Sequence, residues 1–405
     1  MKIFIISYYF PPIGFSGSRR AYYMAKYFSN KNYDVTIFTV KDIKYSAFDR
    51  YYDLDKNIKI VKIPTLDPQR FVKGKGKKQM EKLRIINSLI FPLDNKILWL
   101  PYLKKVVGNY TRKMKPDLIV SSSPPPSIHI AVSDISRKYN IPWIADLRDS
   151  ISDNQLKTHS ILSDYAENRL EKIIINNAAI VSTVTMNIMN KLKEKYPLNK
   201  EKVILVRNGY DKSDFRYPIN NLFKYKRITY MSRISHLTNI KAFLKAFRGL
   251  EDFEFYYAGI DETGELNGLI KKFKIEHRIL QLGYLEHSRA MELINASDIL
   301  LITLAERNGI GDVSTAKIYE YFGAKKPILL IAPPGTEAEY LIEKEHAGIC
   351  VRNSDTTGIK KAIFELLNNP KKYICKHPEK YQWERNFRIL EGKIKLLTTE
   401  RENHH

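Results

Sequence analysis

Short apolar runs alternate with helical patterns along nearly the whole chain, and this alternation constrains the fold more than any other sequence feature. In the first half, apolar runs lie at 2–7, 34–40, 117–121, 143–147, 179–184 and 202–206, and helical patterns lie at 18–30, 126–139 and 160–176. Strands that alternate with helices predict βαβ units and a mostly parallel sheet. The first half is therefore predicted to be a doubly wound α/β domain.

The same pattern starts again at Arg227. Further strand candidates lie at 253–258, 279–283, 299–304, 327–332 and 348–351. The stretch between the halves is rich in Asn, Asp, Pro and Gly, as a linker should be. A chain of 405 residues is also too long for one ordinary core. We predict an α/β fold with two Rossmann-like doubly wound domains facing a cleft. The predicted parts are a domain at 1–210, a linker at 211–226, a second domain at 227–376, and C-terminal helices at 377–405 that can cross back to the first domain.

The charge of the chain indicates an anionic partner. The formal net charge is +23, which suits phosphates, an acidic membrane surface or nucleic acid. Cys350 and Cys375 are the only cysteines, and they form neither a metal-ligand spacing nor a disulfide framework, so a reducing cytosol fits. No apolar run approaches the length needed to span a bilayer. These features predict a cytoplasmic protein.

The run at 311–330 carries the strongest functional signal. Asp312 lies ahead of a short predicted helix and Glu320 lies inside it, with an apolar strand directly afterwards. Ser314 and Thr315 are favoured N-cap types, and a helix N-terminus binds anions. A carboxylate further along such a helix can accept hydrogen bonds from sugar hydroxyls. The run therefore suits a nucleotide-sugar, while the alternative is a loop aspartate followed by a solvated glutamate.

Two other segments are candidates for phosphate binding. Gly14 and Gly17 lie in a turn that follows the first strand and opens a helix, where glycines let backbone amides approach a phosphate. The spacing is not that of the dinucleotide fingerprint, which disfavours a nicotinamide or flavin enzyme. Arg233 follows the first strand of the second half and is suited to phosphate oxygens, with Lys317 as a second candidate. The alternatives are a plain tight turn and solvated cations.

Polar residues end two neighbouring strands of the predicted first sheet, where ligands of doubly wound folds bind. Ser127 is predicted to cap a helix that carries His129 in its first turn, and Asp146, Arg148 and Asp149 follow the next strand. We expect these side chains to converge on the cleft, with His129, Asp146 and Asp149 as catalytic candidates that donate to or orient an acceptor. The alternatives are a packed histidine, a local ion pair between Asp146 and Arg148, and an Asp149 that caps the next segment.

The segment 70–105 departs from the strand–helix alternation. A lysine cluster precedes an apolar helical pattern there, with Lys73, Lys75, Lys77 and Lys78 at its centre. Basic residues beside an apolar face suit an anionic membrane surface. A solvated loop followed by an ordinary packed helix is the alternative.

Several segments together resemble those of one known family. These are FPPIGFSGSRRAYYMAKYF, SSPPPSIHIA, IPWIADLRD, VILVRNGYD and KIYEYFGAKKPIL. In this order, the chain resembles retaining glycosyltransferases of the GT-B fold, most closely the bacterial polysaccharide enzymes of glycosyltransferase family four. The resemblance covers almost the full length. It implies an acceptor site in the N-terminal domain and a nucleotide-sugar site in the C-terminal domain.

The resemblance also implies roles for single residues. Glu320 matches the glutamate that binds the donor ribose, and Asp312 stands where a glutamate usually faces the donor sugar, with Glu306 as a possible substitute. Arg233 matches the diphosphate-binding arginine. Gly14 and Gly17 fall in the loop that approaches the diphosphate. The lysine that usually follows the arginine is replaced by Thr238, and Lys241 or Lys317 is the candidate that compensates.

The resemblance implies an enzyme that retains anomeric configuration and needs neither a metal nor another cofactor. We expect a nucleotide-diphospho-sugar donor, with UDP favoured, and a lipid-linked or growing cell-surface saccharide as acceptor, at the inner face of the cell membrane. One alternative is an epimerase or phosphorylase of the same fold. Another is a basic nucleic-acid-binding protein, which we disfavour because no base-reading helix or stacking motif is present.

Overall fold

The computed structural model describes residues 1–14, 16–41, 56–67, 91, 93–152, 160–215 and 225–402. The chain divides into two compact units. The first comprises Met1–Arg207 together with the final helix from Phe387, and the second comprises Asn208–Asn386. Lys73, Lys75, Lys77 and Lys78, the predicted membrane contacts, lie outside the described residues.

The first unit contains a parallel sheet. Its described strands are β1 (Lys2–Ser7), β2 (Asp34–Val40), β3 (Lys59–Ile63), β4 (Leu118–Ser122), β5 (Trp143–Leu147), β6 (Ile180–Thr183) and β7 (Val203–Leu205). Their order is β3-β2-β1-β4-β5-β6-β7, so the direction of winding reverses between β1 and β4. The register places Ile5 of β1 opposite Ile37 on one side and Val120 on the other. The inner strands β1, β4, β5 and β6 are buried along almost their whole length, because helices cover both faces of such a sheet.

Helices connect the strands of the first unit. They are α1 (Ser16–Asn30), α2 (Leu100–Met114), α3 (Ile128–Tyr139), α4 (Ile161–Asn177) and α5 (Met186–Lys195). Strand β3 is the one described strand of this sheet that sequence analysis missed. Its sequence, KIVKI, places lysines within an edge strand that is only partly buried, so no continuous apolar run marks it.

The second unit repeats the architecture. Its described strands are β8 (Lys226–Tyr230), β9 (Phe253–Ala258), β10 (Ile279–Gly283), β11 (Ile299–Thr303), β12 (Ile328–Ile331) and β13 (Gly348–Val351), in the order β10-β9-β8-β11-β12-β13. Its helices are α6 (Ile240–Phe247), α7 (Leu266–Phe273), α8 (His287–Asn295), α9 (Lys317–Ala324), α10 (Glu337–Lys344) and α11 (Thr356–Asn368), and the last helix of the chain is α12 (Trp383–Glu402). The predicted α/β class with two Rossmann-like domains is confirmed.

The core of the second unit lies on both faces of its sheet. Ile299 and Leu301 of β11 belong to one hydrophobic cluster, while Leu300 and Ile302 belong to another. Successive side chains of a strand point to opposite faces, so the two clusters lie on opposite sides of the sheet. Helix packing on both faces leaves the carboxyl ends of the strands as the place for a ligand.

Candidate functional site

The candidate donor site lies at the carboxyl ends of β8 and β11, where the strand order of the second unit reverses. Ligands of doubly wound sheets bind at such a reversal. The loop after β8 and the loop after β11 are joined there, because the amide of Ala305 donates to the carbonyl of Leu237 at 2.8 Å. The side-chain amide of Asn353 donates to the carbonyl of Leu304 at 3.1 Å and holds the second loop from the other side.

Asp312 lies in the loop after β11, in the short 3-10 turn Ile310–Asp312. The turn follows Gly309, whose φ of 75° lies in the left-handed region that favours glycine. Asp312 is buried, and its amide donates to the carbonyl of Gly309 at 3.1 Å. Glu306, the alternative donor contact, is exposed at the start of the loop. The two candidates therefore differ in environment, with Asp312 packed into the turn and Glu306 in solvent.

Helix α9 begins at Lys317, and its N-cap is Ala316. The expectation that Ser314 or Thr315 caps this helix is wrong, because no side chain caps it. Ser314 accepts a hydrogen bond from the side-chain amide of Asn208 at 3.1 Å, and the carbonyl of Thr315 accepts from the amide of Ile318. The side chain of Ala316 has no oxygen that could accept a hydrogen bond from the first-turn amides, so the start of this helix suits an anionic group.

Glu320 lies in the first turn of α9 and is 4% exposed. The ammonium of Lys317 lies 3.0 Å from its Oε2. The alternative interpretation of Glu320 as a solvated helix residue is therefore wrong, and Lys317 is likewise an ion-pair partner rather than a free cation. Burying a carboxylate is costly unless charges and hydrogen bonds compensate it. A buried carboxylate next to an uncapped helix N-terminus is the most distinctive feature of this site.

Arg233 extends from the loop after β8 and is 43% exposed. Its Nη1 lies 2.9 Å from Oε1 of Glu262, which belongs to the loop after β9. Two backbone hydrogen bonds join the loops: the amide of Ile234 donates to the carbonyl of Ile260, and the carbonyl of Ile234 accepts from the amide of Glu262. Their approach requires Gly259, because a Cβ there would lie 2.1 Å from the carbonyl oxygen of Ser232. Glu262 was not predicted as a site residue, because no feature of the local sequence indicates that it pairs with Arg233.

The position of the family's usual lysine is occupied by a turn residue. The hydroxyl of Thr238 donates to the carbonyl of Ser235 at 2.9 Å and accepts from its amide at 3.0 Å. Thr238 therefore shapes the loop after β8. Lys241 is exposed on α6, whereas Lys317 is ion-paired with Glu320.

The glycine turn of the first unit leads from β1 into α1. Gly14 precedes the helix and Gly17 lies in its first turn. The carbonyl of Gly17 accepts a hydrogen bond from Nη1 of Arg148 at 2.8 Å. A Cβ on Gly17 would lie 3.7 Å from Nη1 of Arg148 and 3.8 Å from the side chain of Tyr9, which is ordinary van der Waals contact. Packing within the unit therefore does not require glycine at position 17.

Asp146 forms a fully buried ion pair at the carboxyl end of β5. Arg20 of α1 binds it with two nitrogens, Nε at 2.8 Å from Oδ2 and Nη2 at 2.7 Å from Oδ1, and both side chains are inaccessible to solvent. The hydroxyls of Ser122 and Ser182 donate to the two carboxylate oxygens at 2.7 Å each. The predicted alternative of a local pair with Arg148 is wrong, since the partner is Arg20, 126 positions earlier.

The charge state of Asp146 follows from these contacts. Burial alone would raise the pKa of its carboxyl, but the charge and hydrogen bonds of Arg20 outweigh burial and lower the pKa. The carboxylate thus stays ionised with hydrogen bonds to both oxygens. Such an arrangement suits a residue that positions the strand ends and α1. The sequence could have indicated that Arg20 faces the core, because Arg20 is at helical spacing from the apolar residues Met24 and Phe28.

His129 is buried near the N-terminus of α3. The hydroxyl of Ser121 accepts from the indole Nε1 of Trp143 at 2.7 Å and lies 2.8 Å from Nδ1 of His129. We infer that this hydroxyl donates to Nδ1, which leaves the proton on Nε2. Burial lowers the pKa of His129 to about 3, so the ring is neutral near pH 7. Nε2 has no hydrogen-bond partner among the described residues.

Ser127 occupies the N-cap position of α3 without making a side-chain cap hydrogen bond. Its amide and hydroxyl donate to the carboxylate of Asp94 at 2.9 and 2.8 Å. The expectation that Ser127 caps the helix through its side chain is therefore wrong. Asp94 instead holds the start of α3. This contact spans 33 positions of the chain, so the local sequence does not reveal it.

The predicted acceptor-side cluster is divided by burial. His129 and Asp146 are fully enclosed, Arg148 is half-buried, and Asp149 is exposed just after β5. Burial lowers the pKa of Arg148, which the charge of Asp149 opposes. Of the two carboxylates in this cluster, Asp149 is thus the one that is exposed to solvent.

The described part of the chain shows neither a metal-binding cluster nor a membrane-spanning helix. No three His, Cys, Asp or Glu side chains come together there as a metal-binding group. No helix within it is both long enough and apolar enough to cross a membrane.

Two protein-family models match successive parts of the chain. The model described as Glycosyltransferase Family 4 matches residues 17–214, and the model described as Glycosyl transferases group 1 matches residues 212–382. None of the curated protein sequences matches the chain.

Several solved structures share the fold. Sucrose-phosphate synthase from Thermosynechococcus elongatus is 15% identical with a TM-score of 0.73, over 98% of this chain and 100% of that one. Anabaena HepE in complex with UDP-glucose is 13% identical with a TM-score of 0.68, over 98% and 100%. WaaG, a glycosyltransferase involved in lipopolysaccharide biosynthesis, is 12% identical with a TM-score of 0.61, over 95% and 94%. At such identities the likeness shows a shared fold.

Proposed function

Because the chain belongs to the group 1 and family 4 glycosyltransferases, we propose that it moves a sugar from a UDP-sugar to a lipid-linked or growing cell-surface saccharide. We further propose that the product retains the anomeric configuration, as the family resemblance implies. The observation that carries the proposal is Glu320, a buried carboxylate in the first turn of α9. HepE, which has the same fold, was solved with UDP-glucose, and this supports UDP as the nucleotide.

In the proposed donor site, Glu320 accepts hydrogen bonds from the ribose hydroxyls. Asp312 faces the donor sugar, and Glu306 is the alternative. Arg233, Lys317 and the amides at the start of α9 supply positive charge to the diphosphate, with Ser314 and Thr315 lining its approach. Groups that are already oriented toward the leaving diphosphate stabilise the charge that develops as the glycosidic C–O bond breaks. This arrangement needs no cofactor.

In the proposed acceptor site, the enclosed, neutral ring of His129 is a positioning residue that lies 2.8 Å from the hydroxyl of Ser121. Asp149 orients the acceptor hydroxyl that attacks the anomeric carbon. Asp146 acts as a positioning residue, because its oxygens are engaged by Arg20, Ser122 and Ser182. The lysine cluster Lys73, Lys75, Lys77 and Lys78 is proposed to hold the enzyme at the anionic inner face of the cell membrane.

Thermal unfolding in the presence of a panel of UDP- and GDP-sugars tests the nucleotide preference. A ligand that binds only the folded state stabilises it by RT ln(1 + [L]/Kd), so we expect UDP-sugars to raise the unfolding midpoint more than GDP-sugars. Turnover is then measured with and without a saccharide acceptor. Sugar transfer that requires the acceptor supports the proposal. Epimerised nucleotide-sugar formed without an acceptor would instead support an epimerase of the same fold.

A further inference from the structure

Helix α4 exposes large apolar side chains to solvent. Ile161 is 89% exposed, Leu162 63% and Tyr165 67%, and all three lie in the first turns of the helix. Arg169 and Lys172 are exposed further along. At 3.6 residues per turn, these five side chains fall within about 100° of arc. One face of α4 thus combines an apolar end with a basic continuation, and we call it the α4 face.

The rest of α4 is packed against the first unit. Leu170 and Ile174 are buried in its hydrophobic core. Glu171 is also buried, and it accepts hydrogen bonds from the hydroxyls of Ser152 and Tyr196. The orientation of the helix is therefore determined by its inner side, and the α4 face cannot turn inward without exposing this core.

The start of α4 is well defined. Ser160 and Ser163 form a reciprocal capping box, in which each side chain accepts from the amide of the other residue. Because α4 follows β5, its first turn lies at the carboxyl edge of the sheet, the edge at which Asp149 also lies. The apolar end of the α4 face is thus on the acceptor side of the unit.

We propose that the α4 face docks on the surface of an anionic lipid bilayer. Exposed aliphatic side chains and a tyrosine suit the interface between headgroups and acyl chains, where an aromatic ring keeps its hydroxyl in water. Arg169 and Lys172 complement lipid phosphates, and the net charge of +23 favours the same partner. Asp164, beside the apolar residues, is half-buried. This surface is separate from the lysine cluster and does not depend on the proposed sugar transfer.

The apolar part of the proposal is tested with Ile161→Ser/Leu162→Ser in the full chain. Co-sedimentation is measured with phosphatidylcholine vesicles that contain phosphatidylglycerol. We expect the partition coefficient to fall by about tenfold or more, because each substituted side chain loses much of its transfer free energy. Ile389→Ser/Leu396→Ser is the matched control, since this pair is also exposed in a helix of the first unit, at 49% and 57%. Equal binding by both variants at unchanged unfolding midpoint would overturn the proposal.

The electrostatic part is tested with Arg169→Gln/Lys172→Gln. The control is Lys271→Gln/Lys272→Gln, which removes the same charge from exposed positions of α7. We expect about tenfold or greater loss of binding to the anionic vesicles for the first variant only, since each cation near such a surface contributes roughly fivefold. An equal loss in both variants would mean that overall charge, not the α4 face, drives binding. Self-association of the wild type that disappears in Ile161→Ser/Leu162→Ser, without vesicle binding, would assign the face to a second copy of the chain.

Discussion

At the scale of the residue, the second unit contains a charged pair with a buried carboxylate where a ligand is expected. Lys317 and Glu320 are one helical turn apart, and their charged groups lie 3.0 Å from each other. An ion pair at i, i+3 spacing on an exposed helix contributes little to stability. Burial of a carboxylate at the carboxyl edge of a sheet, however, costs desolvation free energy, and ionisable groups in such environments are frequent at functional sites. Glu320 is therefore the residue on which the proposed donor site most depends.

We expect Glu320→Gln to lower the affinity for UDP by about tenfold to several hundredfold, because a charge-assisted hydrogen bond contributes roughly 1.5–3 kcal/mol. Isothermal titration calorimetry with UDP measures the change. Glu343→Gln, at an exposed position of α10, removes the same charge and should bind UDP like the wild type. Unchanged affinity in Glu320→Gln would require a different donor site.

We expect Asp149→Asn to lower turnover by about 10²-fold while UDP affinity and the unfolding midpoint stay near those of the wild type, because the variant loses a group that orients the acceptor. Asp134→Asn is the control, since Asp134 is an exposed aspartate of the same unit. Initial rates at saturating donor measure the effect. Rates that match the control would remove Asp149 from the proposed acceptor site.

The buried ring of His129 predicts a pH dependence of stability. Burial lowers its pKa from 6.5 to about 3. Below pH 6.5 the unfolded chain takes up a proton that the folded ring refuses, so stability is lost as pH falls from 6.5 toward 3. We expect His129→Gln to lose less of its unfolding midpoint than the wild type between pH 6.5 and about 4.5. Parallel declines in thermal unfolding scans would contradict the buried neutral ring.

At the scale of the element, the Arg20–Asp146 pair joins α1 to the carboxyl ends of three strands. Asp146 belongs to β5, Ser122 to β4 and Ser182 to β6, and all of them meet at one carboxylate. The amide and hydroxyl of Ser123 also donate to the carbonyl of Asp146. The network therefore sets the positions from which Arg148 and Asp149 leave the sheet.

We expect Asp146→Asn to destabilise the first unit by about 3–5 kcal/mol, because it leaves the buried guanidinium of Arg20 without its counter-charge. Asp134→Asn breaks an exposed pair with Lys104 and should cost at most about 1 kcal/mol. Urea unfolding followed by circular dichroism compares the two variants. At urea concentrations too low to unfold the protein, the UDP affinity of Asp146→Asn should stay near that of the wild type, since the proposed donor site lies in the second unit. Similar stabilities for both variants would show that the network is dispensable.

At the scale of the whole molecule, a large positive charge accompanies two α/β units. The excess of cations is spread over the sequence, and the lysines at 73–78 lie outside the described residues. Charge of this size favours association with anionic surfaces without specifying a fold.

We expect the wild-type chain to bind anionic vesicles at low salt and to release them at high salt, because salt screens exposed charges. Replacement of Lys73, Lys75, Lys77 and Lys78 by Gln should lower binding at low salt by more than tenfold, at roughly 1 kcal/mol for each cation. Co-sedimentation at two salt concentrations measures both effects. Equal binding to neutral and anionic vesicles would contradict an electrostatic attachment.

Local sequence by itself determined the order of the strands and helices and the placement of Asp312 and Glu320 around the start of α9. These features depend on periodicity and spacing, which neighbouring residues carry. The predicted strands at 34–40, 143–147 and 253–258 match β2, β5 and β9. The wrong prediction of the N-cap of α9 also concerned neighbouring residues, since the N-cap is Ala316 rather than Ser314 or Thr315.

Only the tertiary structure decided which side chains meet. The partners of Asp146 come from α1, β4 and β6, and Asp94 holds Ser127 across 33 positions. It likewise decided that His129 is enclosed while Asp149 stays in solvent. A sequence pattern shows which face of an element is apolar, but the packing of other elements on that face sets the burial and charge state of each polar group. That packing separates the enclosed side chains of the carboxyl edge from the solvent-exposed Asp149.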